Sequence, residues 1–346
     1  MKKTLKHIVF LTPGFAALEN DSTTIPVLQV YLNHLKQFLP NVKLTVITFQ
    51  FPFTSDKYNW NEIEVIPLNG KNSKIKKIFT WRKAYTTLQK LHNENQIDII
   101  HSFWIGECSL IGQYFAHKNK LKHIVTAMGQ DVFDNKYVYF LGKDKTKIIT
   151  LSKNHQDKLQ KNYNLNSEII PWGIDINAFP VIQENSIDIL GVGSLNKVKN
   201  YPLFIEIISE IVKKHTNIKV EILGKGNELK NIERFIKENN LENNIKLIGE
   251  VTRSIVLEKM SCSKILLHTS TYESFGYVFS EALYSGMKIV SFDVGNFIEN
   301  KNWKISNSKD QFVASILAFL ESDFKKNRLI VTDIELTISS YISLYK

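Results

Sequence analysis

Ile265-Leu266-Leu267-His268-Thr269-Ser270-Thr271-Tyr272-Glu273-Ser274-Phe275-Gly276-Tyr277-Val278-Phe279-Ser280-Glu281-Ala282-Leu283-Tyr284-Ser285-Gly286 is the stretch whose reading decides the fold. It opens on a short apolar run of the kind that forms a buried strand. A polar loop follows, and helical periodicity resumes at about Phe275 and stops at Gly286, which reads as a C-terminal cap. Strand, loop and helix in this order build parallel sheets with crossover helices. Glu273 therefore falls in the loop and Glu281 inside the helix. Phe275, Gly276 and Tyr277 supply free backbone N–H groups at the helix start, where the amides and the helix dipole suit a diphosphate. A glycine at 276 lets a phosphate approach the backbone, and the flanking carboxylates can accept hydrogen bonds from sugar hydroxyls.

The same alternation extends outward through the chain. In the front half, strands are expected at His7–Leu11, Lys43–Thr48, Ile63–Pro67, Asp98–His101, His123–Thr126, Lys147–Leu151 and Glu168–Ile170. A helix starting near Thr24, with Pro26 in its first turn, buries one face through Leu28, Tyr31, Leu32, Leu35 and Phe38. A second sheet begins near Ile187, with strands at Ile187–Val192, Lys219–Leu223, Ile245–Ile248 and Lys264–His268. Between the two lies Pro171-Trp172-Gly173-Ile174-Asp175 and a less regular stretch to Ser186, read as a linker. The fold class is thus α/β, with two Rossmann-like, doubly wound domains over 1–180 and 181–333. In such sheets ligands sit beyond the carboxyl ends of the strands, which places the expected site in a cleft between facing domains.

At 346 residues, 43% hydrophobic and 23% charged, the chain is long enough for two domains of ordinary size. Cys108 and Cys262 fit neither a disulfide framework nor zinc spacing, which implies a reducing, cytoplasmic setting. The apolar run Ile8 to Leu11 is too short for a signal peptide, and no run is long enough to span a membrane. The net charge of +10 is uneven: residues 1–180 hold 23 Lys and Arg against 14 Asp and Glu, and the remainder 21 against 20. A basic front half points to an anionic partner, such as a phospholipid surface, a phosphorylated acceptor or nucleic acid; a Lys-rich surface of no particular use accounts for it equally well. No nucleic-acid recognition motif accompanies the charge, so none is expected as partner. No H-E-x-x-H, D-x-D or clustered His and Asp appears, so no metal or cofactor is expected. A G-x-S-x-G elbow is absent too, which excludes the usual hydrolase triad. Gly224-Lys225-Gly226 lacks the full G-x-G-x-x-G fingerprint of a dinucleotide-dependent oxidoreductase.

The Thr271–Gly286 string resembles the Glu-x7-Glu motif of retaining GT-B glycosyltransferases of family 4, Phe-Gly pair included. By that resemblance Glu273 contacts the donor sugar, Glu281 the nucleotide ribose, and Ser274, Phe275, Gly276 and Tyr277 the donor. Gly191-Val192-Gly193-Ser194-Leu195-Asn196-Lys197-Val198-Lys199-Asn200 is similar to the family's Gly-Arg-Leu loop. There Lys199 matches a diphosphate-binding Lys and Gly193 belongs to the donor loop, while Ser194 stands where an Arg is usual; Lys197 is a candidate substitute. Phe292-Asp293-Val294-Gly295-Asn296 and Glu299 resemble the loop that closes around the nucleotide, with Gly295 either near the donor or a plain turn glycine. Ile170-Pro171-Trp172-Gly173-Ile174-Asp175 is close to the family's linker strand.

In the front half, Leu11-Thr12-Pro13-Gly14-Phe15 resembles the family's glycine-containing loop, through Gly14. Val125-Thr126-Ala127-Met128-Gly129-Gln130-Asp131 resembles its Thr-x-His-Gly-x-Asp segment, with Met128 at the His position. Asp131 then binds sugar or acceptor hydroxyls, or caps a helix. His101 and His268, each at a strand end, read as hydrogen-bonded structural residues. The resemblance implies transfer of a sugar from a UDP- or GDP-sugar to a glycan or lipid-linked acceptor, with retention of configuration and no metal. It also implies a last helix, about 334–346, packed back on the front domain. Ser194 and Met128 keep a non-catalytic nucleotide or glycan binder in view, and an epimerase or phosphorylase of the same fold is a further alternative. Finally, Ile78, Trp81, Tyr85 and Leu88 form an apolar stripe at helical spacing beside Lys74, Lys77 and Arg82. Such a helix either lies on an anionic membrane, giving peripheral association with the inner face of the cell membrane, or docks on the front sheet with its lysines in water.

Overall fold

In the computed structural model, which describes residues 5–73, 75–142, 146–296, 300–322 and 325–346, the buried β-branched runs become the middle strands of two sheets. The chain divides into Met1–Trp172 with Ile334–Lys346, and Gly173–Asp333. Among the described residues the front unit carries β1 (His7–Gly14), β2 (Lys43–Phe51), β3 (Tyr58–Trp60), β4 (Ile63–Pro67), β5 (Ile99–Phe103), β6 (Lys122–Thr126), β7 (Lys147–Thr150) and β8 (Glu168–Ile169). Their order is β3-β4-β2-β1-β5-β6-β7-β8, parallel except for β3 against β4. The back unit carries β9 (Ile187–Val192), β10 (Val220–Leu223), β11 (Ile245–Gly249), β12 (Ser263–His268), β13 (Lys288–Ser291) and β14 (Trp303–Ile305), in the order β11-β10-β9-β12-β13-β14 and all parallel.

Both sheets are covered on two faces by helices, and their central strands are accordingly apolar on both sides. Ile8, Val9, Phe10 and Leu11 of β1 are fully buried, as are Ile189, Leu190, Ile265 and Leu266 of β9 and β12. Strand order reverses between β1 and β5 in the front sheet and between β9 and β12 in the back sheet. Loops leaving adjacent strands in opposite directions open a crevice at their carboxyl ends, so these two points are where a doubly wound sheet holds ligands.

The last helix, Ile334–Tyr345, is tied to the front unit by a buried polar network. The Tyr345 hydroxyl lies 2.6 Å from His101 Nδ1 and 2.5 Å from the Tyr31 hydroxyl. Thr126 Oγ1 lies 2.8 Å from His101 Nε2 and 2.9 Å from the Tyr341 hydroxyl. Burial holds the His101 imidazole well below its usual range and hence neutral, so one ring nitrogen donates and the other accepts.

The structure departs from the sequence reading in several places. Gly173 and Ile174 already belong to the back unit, because the Ile174 N–H donates to the Thr332 carbonyl at 3.0 Å and Ile174 bridges Asp333; the boundary lies there and not after residue 180. Strands β3, β13 and β14 were not expected; they have three or four residues each, too few for a pattern to emerge. The first helix starts at Pro26 behind a left-handed Ile25, and Phe38 at its end is 46% exposed, outside the stripe. The basic helix runs from Lys77 to Glu94 and docks on the front sheet through Thr80, Ala84, Leu88 and Leu91, with Trp81 and Tyr85 packed at the margin. Ile78 is 74% exposed and so does not share that stripe. Lys74 and Glu299 lie outside the described residues.

Tyr345→Phe removes one hydroxyl from two partners in a dry site. Loss of a buried hydrogen-bond partner costs about 1–3 kcal/mol, so the variant should lose that much unfolding free energy and show a lower urea midpoint; an unchanged midpoint would show that the Tyr345 hydroxyl contributes nothing to stability.

Candidate active site

Two loops are stitched together at the back unit's switch point. After β9, Asn196 caps a short turn over Lys197–Lys199 by accepting the Lys199 N–H at 3.2 Å. After β12, the Thr271 N–H donates to the Val198 carbonyl at 2.9 Å and Thr269 Oγ1 to the Lys199 carbonyl at 2.9 Å. This stitching brings residues 74 positions apart into contact: the Lys199 ammonium donates to Glu273 Oε1. His268 Nε2 reaches the same oxygen at 2.9 Å from the end of β12.

The charges in this cluster follow from burial and pairing. Burial alone would raise the Glu273 carboxyl, but the His268 hydrogen bond and the Lys199 ammonium more than offset it and hold the group at about 2. His268 is lowered by burial and by Lys199, so its neutral imidazole donates through Nε2. Glu273 is thus a fixed carboxylate at neutral pH, with Lys199 as its counter-charge.

Gly276, at φ 75°, precedes the helix Tyr277–Tyr284. A Cβ there would stand 2.3 Å from the Phe279 ring, so only glycine fits. The helix consequently begins at Tyr277, two residues later than the periodicity implies, and of the three expected N–H groups only that of Tyr277 lies in its first turn. Phe275 is buried and its carbonyl accepts the Asn296 N–H at 2.8 Å, while Ser274 is half-buried beside Glu273. Gly295, at φ 72°, lies directly beneath: a Cβ would come within 2.5 Å of the Phe275 carbonyl oxygen and 3.3 Å of Glu273 Cβ. Gly295 therefore supports the loop that carries Glu273.

Glu281, one turn further along the helix, is 7% exposed. Its Oε1 accepts from Arg253 Nε at 3.0 Å. Burial raises the Glu281 carboxyl, and Arg253 acts against that rise. Arg253 opens the helix Arg253–Ser261 after β11 and belongs to none of the sequence motifs. Gly193 abuts the Lys199 chain, whereas Ser194 and Lys197 are exposed on the loop surface.

In the front unit, Gly14 ends β1 and pairs with Phe51. Met128 is buried, 9% exposed. The Asp131 carboxylate accepts the N–H groups of Ile105 at 2.7 Å, Gly129 at 2.7 Å and Met128 at 3.2 Å. It anchors the backbone of Ile105 and of Met128–Gly129 and does not cap its own short helix, Gln130–Val132, whose N-cap Gly129 makes no side-chain cap bond. Nearby, at the front switch point, a cavity of about 320 Å3 is lined by Pro13 near the end of β1, Gln50, Asn72, Trp104 and Glu107 after β5, and Asn135, among others. Glu107 is held by Trp81 Nε1 at 2.7 Å and Lys77 Nζ at 2.8 Å. Sequence reading had no motif for this cavity. Trp104, a bulky residue held at φ 65°, is the local outlier that marks it. Among the described residues no group of three or more His, Cys, Asp and Glu is placed to hold a metal ion, and no helix is long and apolar enough to cross a membrane.

The two sheets with their switch points give a protein of the GT-B fold. An uncharacterised glycosyltransferase of Methanocaldococcus jannaschii is 24% identical over 280 residues, 78% of this chain and 76% of that protein. Sucrose-phosphate synthase from Thermosynechococcus elongatus superposes with a TM-score of 0.75 at 14% identity, covering 99% of this chain and 95% of that one. The Anabaena HepE protein, solved in complex with UDP and glucose, superposes with a TM-score of 0.72 at 14% identity, covering 97% and 98%. The family described as Glycosyl transferases group 1 matches residues 175–332, and Glycosyl transferase 4-like matches residues 25–164. The chain is a glycosyltransferase whose front unit is of the 4-like type and whose back unit is of the group 1 type.

The low position of Glu273 makes a pH prediction. Its carboxyl sits at about 2 in the fold against an ordinary 4.5. A depressed carboxyl stabilises the fold fully above pH 4.5, and that contribution, about 3 kcal/mol at about 1.4 kcal/mol per unit, is lost as pH falls toward 2. The stability gap between the protein and Glu273→Gln should therefore narrow on acidification from pH 5. A gap independent of pH would refute the ionised cluster.

Proposed function

We propose that the protein transfers a sugar from a UDP- or GDP-sugar to a glycan or lipid-linked acceptor, with retention of anomeric configuration and without a bound metal. The observation that carries this reading is the Lys199–Glu273–His268 cluster beside the start of the helix Tyr277–Tyr284. In this reading the diphosphate lies against Lys199 and the first N–H groups of that helix, which take up the negative charge that develops as the glycosidic bond breaks. Lys199 then turns from Glu273 toward the phosphate. Glu273, still ionised, accepts hydrogen bonds from the sugar hydroxyls, and Glu281 from the ribose. The acceptor hydroxyl attacks on the face from which the diphosphate leaves, and no protein nucleophile is assigned. The absence of an Arg at 194 leaves Lys199 as the cation of this loop that faces the cluster, since Lys197 is exposed.

On the acceptor side, the front-unit cavity with its amides, Trp104 and Glu107 has the chemistry of a sugar subsite: aromatic walls and fixed hydrogen-bonding groups. The chain works in the cytoplasm in this reading. Ile75, Ile78 and Phe79 are 87%, 74% and 71% exposed beside exposed Lys76, Arg82 and Lys83, which favours a reversible contact with anionic lipid where a lipid-linked acceptor would be presented.

Two measurements test the reading. Glu273→Gln should lower turnover of the sugar donor far more than it lowers affinity for the bare nucleoside diphosphate, because its partner is the sugar. Equal losses would contradict that assignment, and binding without any turnover in the unaltered protein would favour a non-catalytic binder. Ile78→Asp/Phe79→Asp should abolish co-sedimentation with anionic vesicles at low salt; a protein that never prefers anionic over neutral vesicles would remove the membrane contact.

A further inference from the structure

Arginine is scarce in this chain: four of its 44 basic residues are Arg. One of the four, Arg253, is buried against the helix that carries the motif. Its Nε and Nη2 both lie 3.0 Å from Glu281 Oε1, and the two side chains are 14% and 9% exposed. Nη2 also reaches the Tyr277 hydroxyl at 3.5 Å, and that hydroxyl donates to the Gly173 carbonyl at 3.2 Å. The guanidinium stands 5.7 Å from the centre of the Tyr277 ring. Tyr277 and Glu281 are one helical turn apart on the same face, so a single planar fork can set both.

As a stabilising device this pair is poor, since a buried ion pair roughly breaks even against apolar packing of the same volume. Its chemistry makes sense if the carboxylate has to be kept charged and fixed for a ligand. Burial pushes Glu281 toward its neutral form, in which a proton on the carboxyl weakens it as an acceptor for hydroxyls. A guanidinium on Oε1 opposes that and fixes the carboxylate plane, directing Oε2 to the ligand. We propose that Arg253 is a positioning residue for nucleotide recognition, holding Glu281 for the 2′- and 3′-hydroxyls of the ribose. The proposal rests on the reading of Glu281 as the ribose acceptor.

The experiment compares UDP and GDP with their 2′,3′-dideoxy counterparts by calorimetry, on the unaltered protein, Arg253→Met and Arg253→Lys. The unaltered protein should prefer the ribonucleotide. Arg253→Met should weaken ribonucleotide binding about tenfold to hundredfold and leave the dideoxy nucleotide unchanged, erasing the preference. Arg253→Lys, which keeps the charge without the fork, should fall between. Equal weakening of both nucleotides by Arg253→Met and Arg253→Lys would assign Arg253 a purely structural role and overturn the proposal, as would no change in either. An unaltered protein that binds both nucleotides equally would refute the ribose reading itself, and the proposal with it.

Discussion

Glu273 is a carboxylate placed where water cannot solvate it fully, and the back unit is arranged so that it stays charged. An unpaired buried charge costs several kcal/mol, and in this structure Lys199 and His268 offset that cost by meeting the carboxylate on the same oxygen. Those partners arrive from different strands. β9 delivers Lys199 and β12 delivers His268 and Glu273, and the two strands are neighbours because the sheet reverses its order between them. The hydrogen bonds from Thr269 and Thr271 to the Val198–Lys199 backbone then hold the loops in register, and Gly295 supports the assembly from below.

The two motif carboxylates, eight residues apart, live under opposite electrostatic conditions. Glu273 is driven down by a neighbouring cation and a hydrogen bond, whereas Glu281 is driven up by burial despite Arg253. Both carboxylates lean on a cationic partner, but in Glu273 the partners outweigh burial, whereas in Glu281 burial outweighs Arg253.

Much of this was legible in the sequence. The long, fully buried strands announced themselves through unbroken β-branched runs, and the loop position of Glu273 followed from the strand before it and the helix after it. What escaped has physical reasons. β13 and β14 are too short to show a period. The helix start at Tyr277 depends on the left-handed backbone of Gly276, which a residue pattern does not reveal. Asp131 reads in sequence as open to a ligand contact or a helix cap; two of its backbone donors, Met128 and Gly129, are local, and the third, Ile105, is brought by the chain's path and not by spacing. His268 reads as a hydrogen-bonded structural histidine and is one; what the sequence does not name is its partner, Glu273, five residues later. Arg253 had no sequence signal, since it meets Glu281 only through the packing of the helix Arg253–Ser261.

The central claim is that the Lys199–Glu273 cluster marks the donor site. A crystal structure of the protein with an intact UDP- or GDP-sugar tests it most directly. The account predicts the diphosphate within hydrogen-bonding distance of Lys199 Nζ and the Tyr277 N–H, with the sugar against Glu273. A nucleotide sugar bound elsewhere, with Lys199 still paired to Glu273, would contradict it.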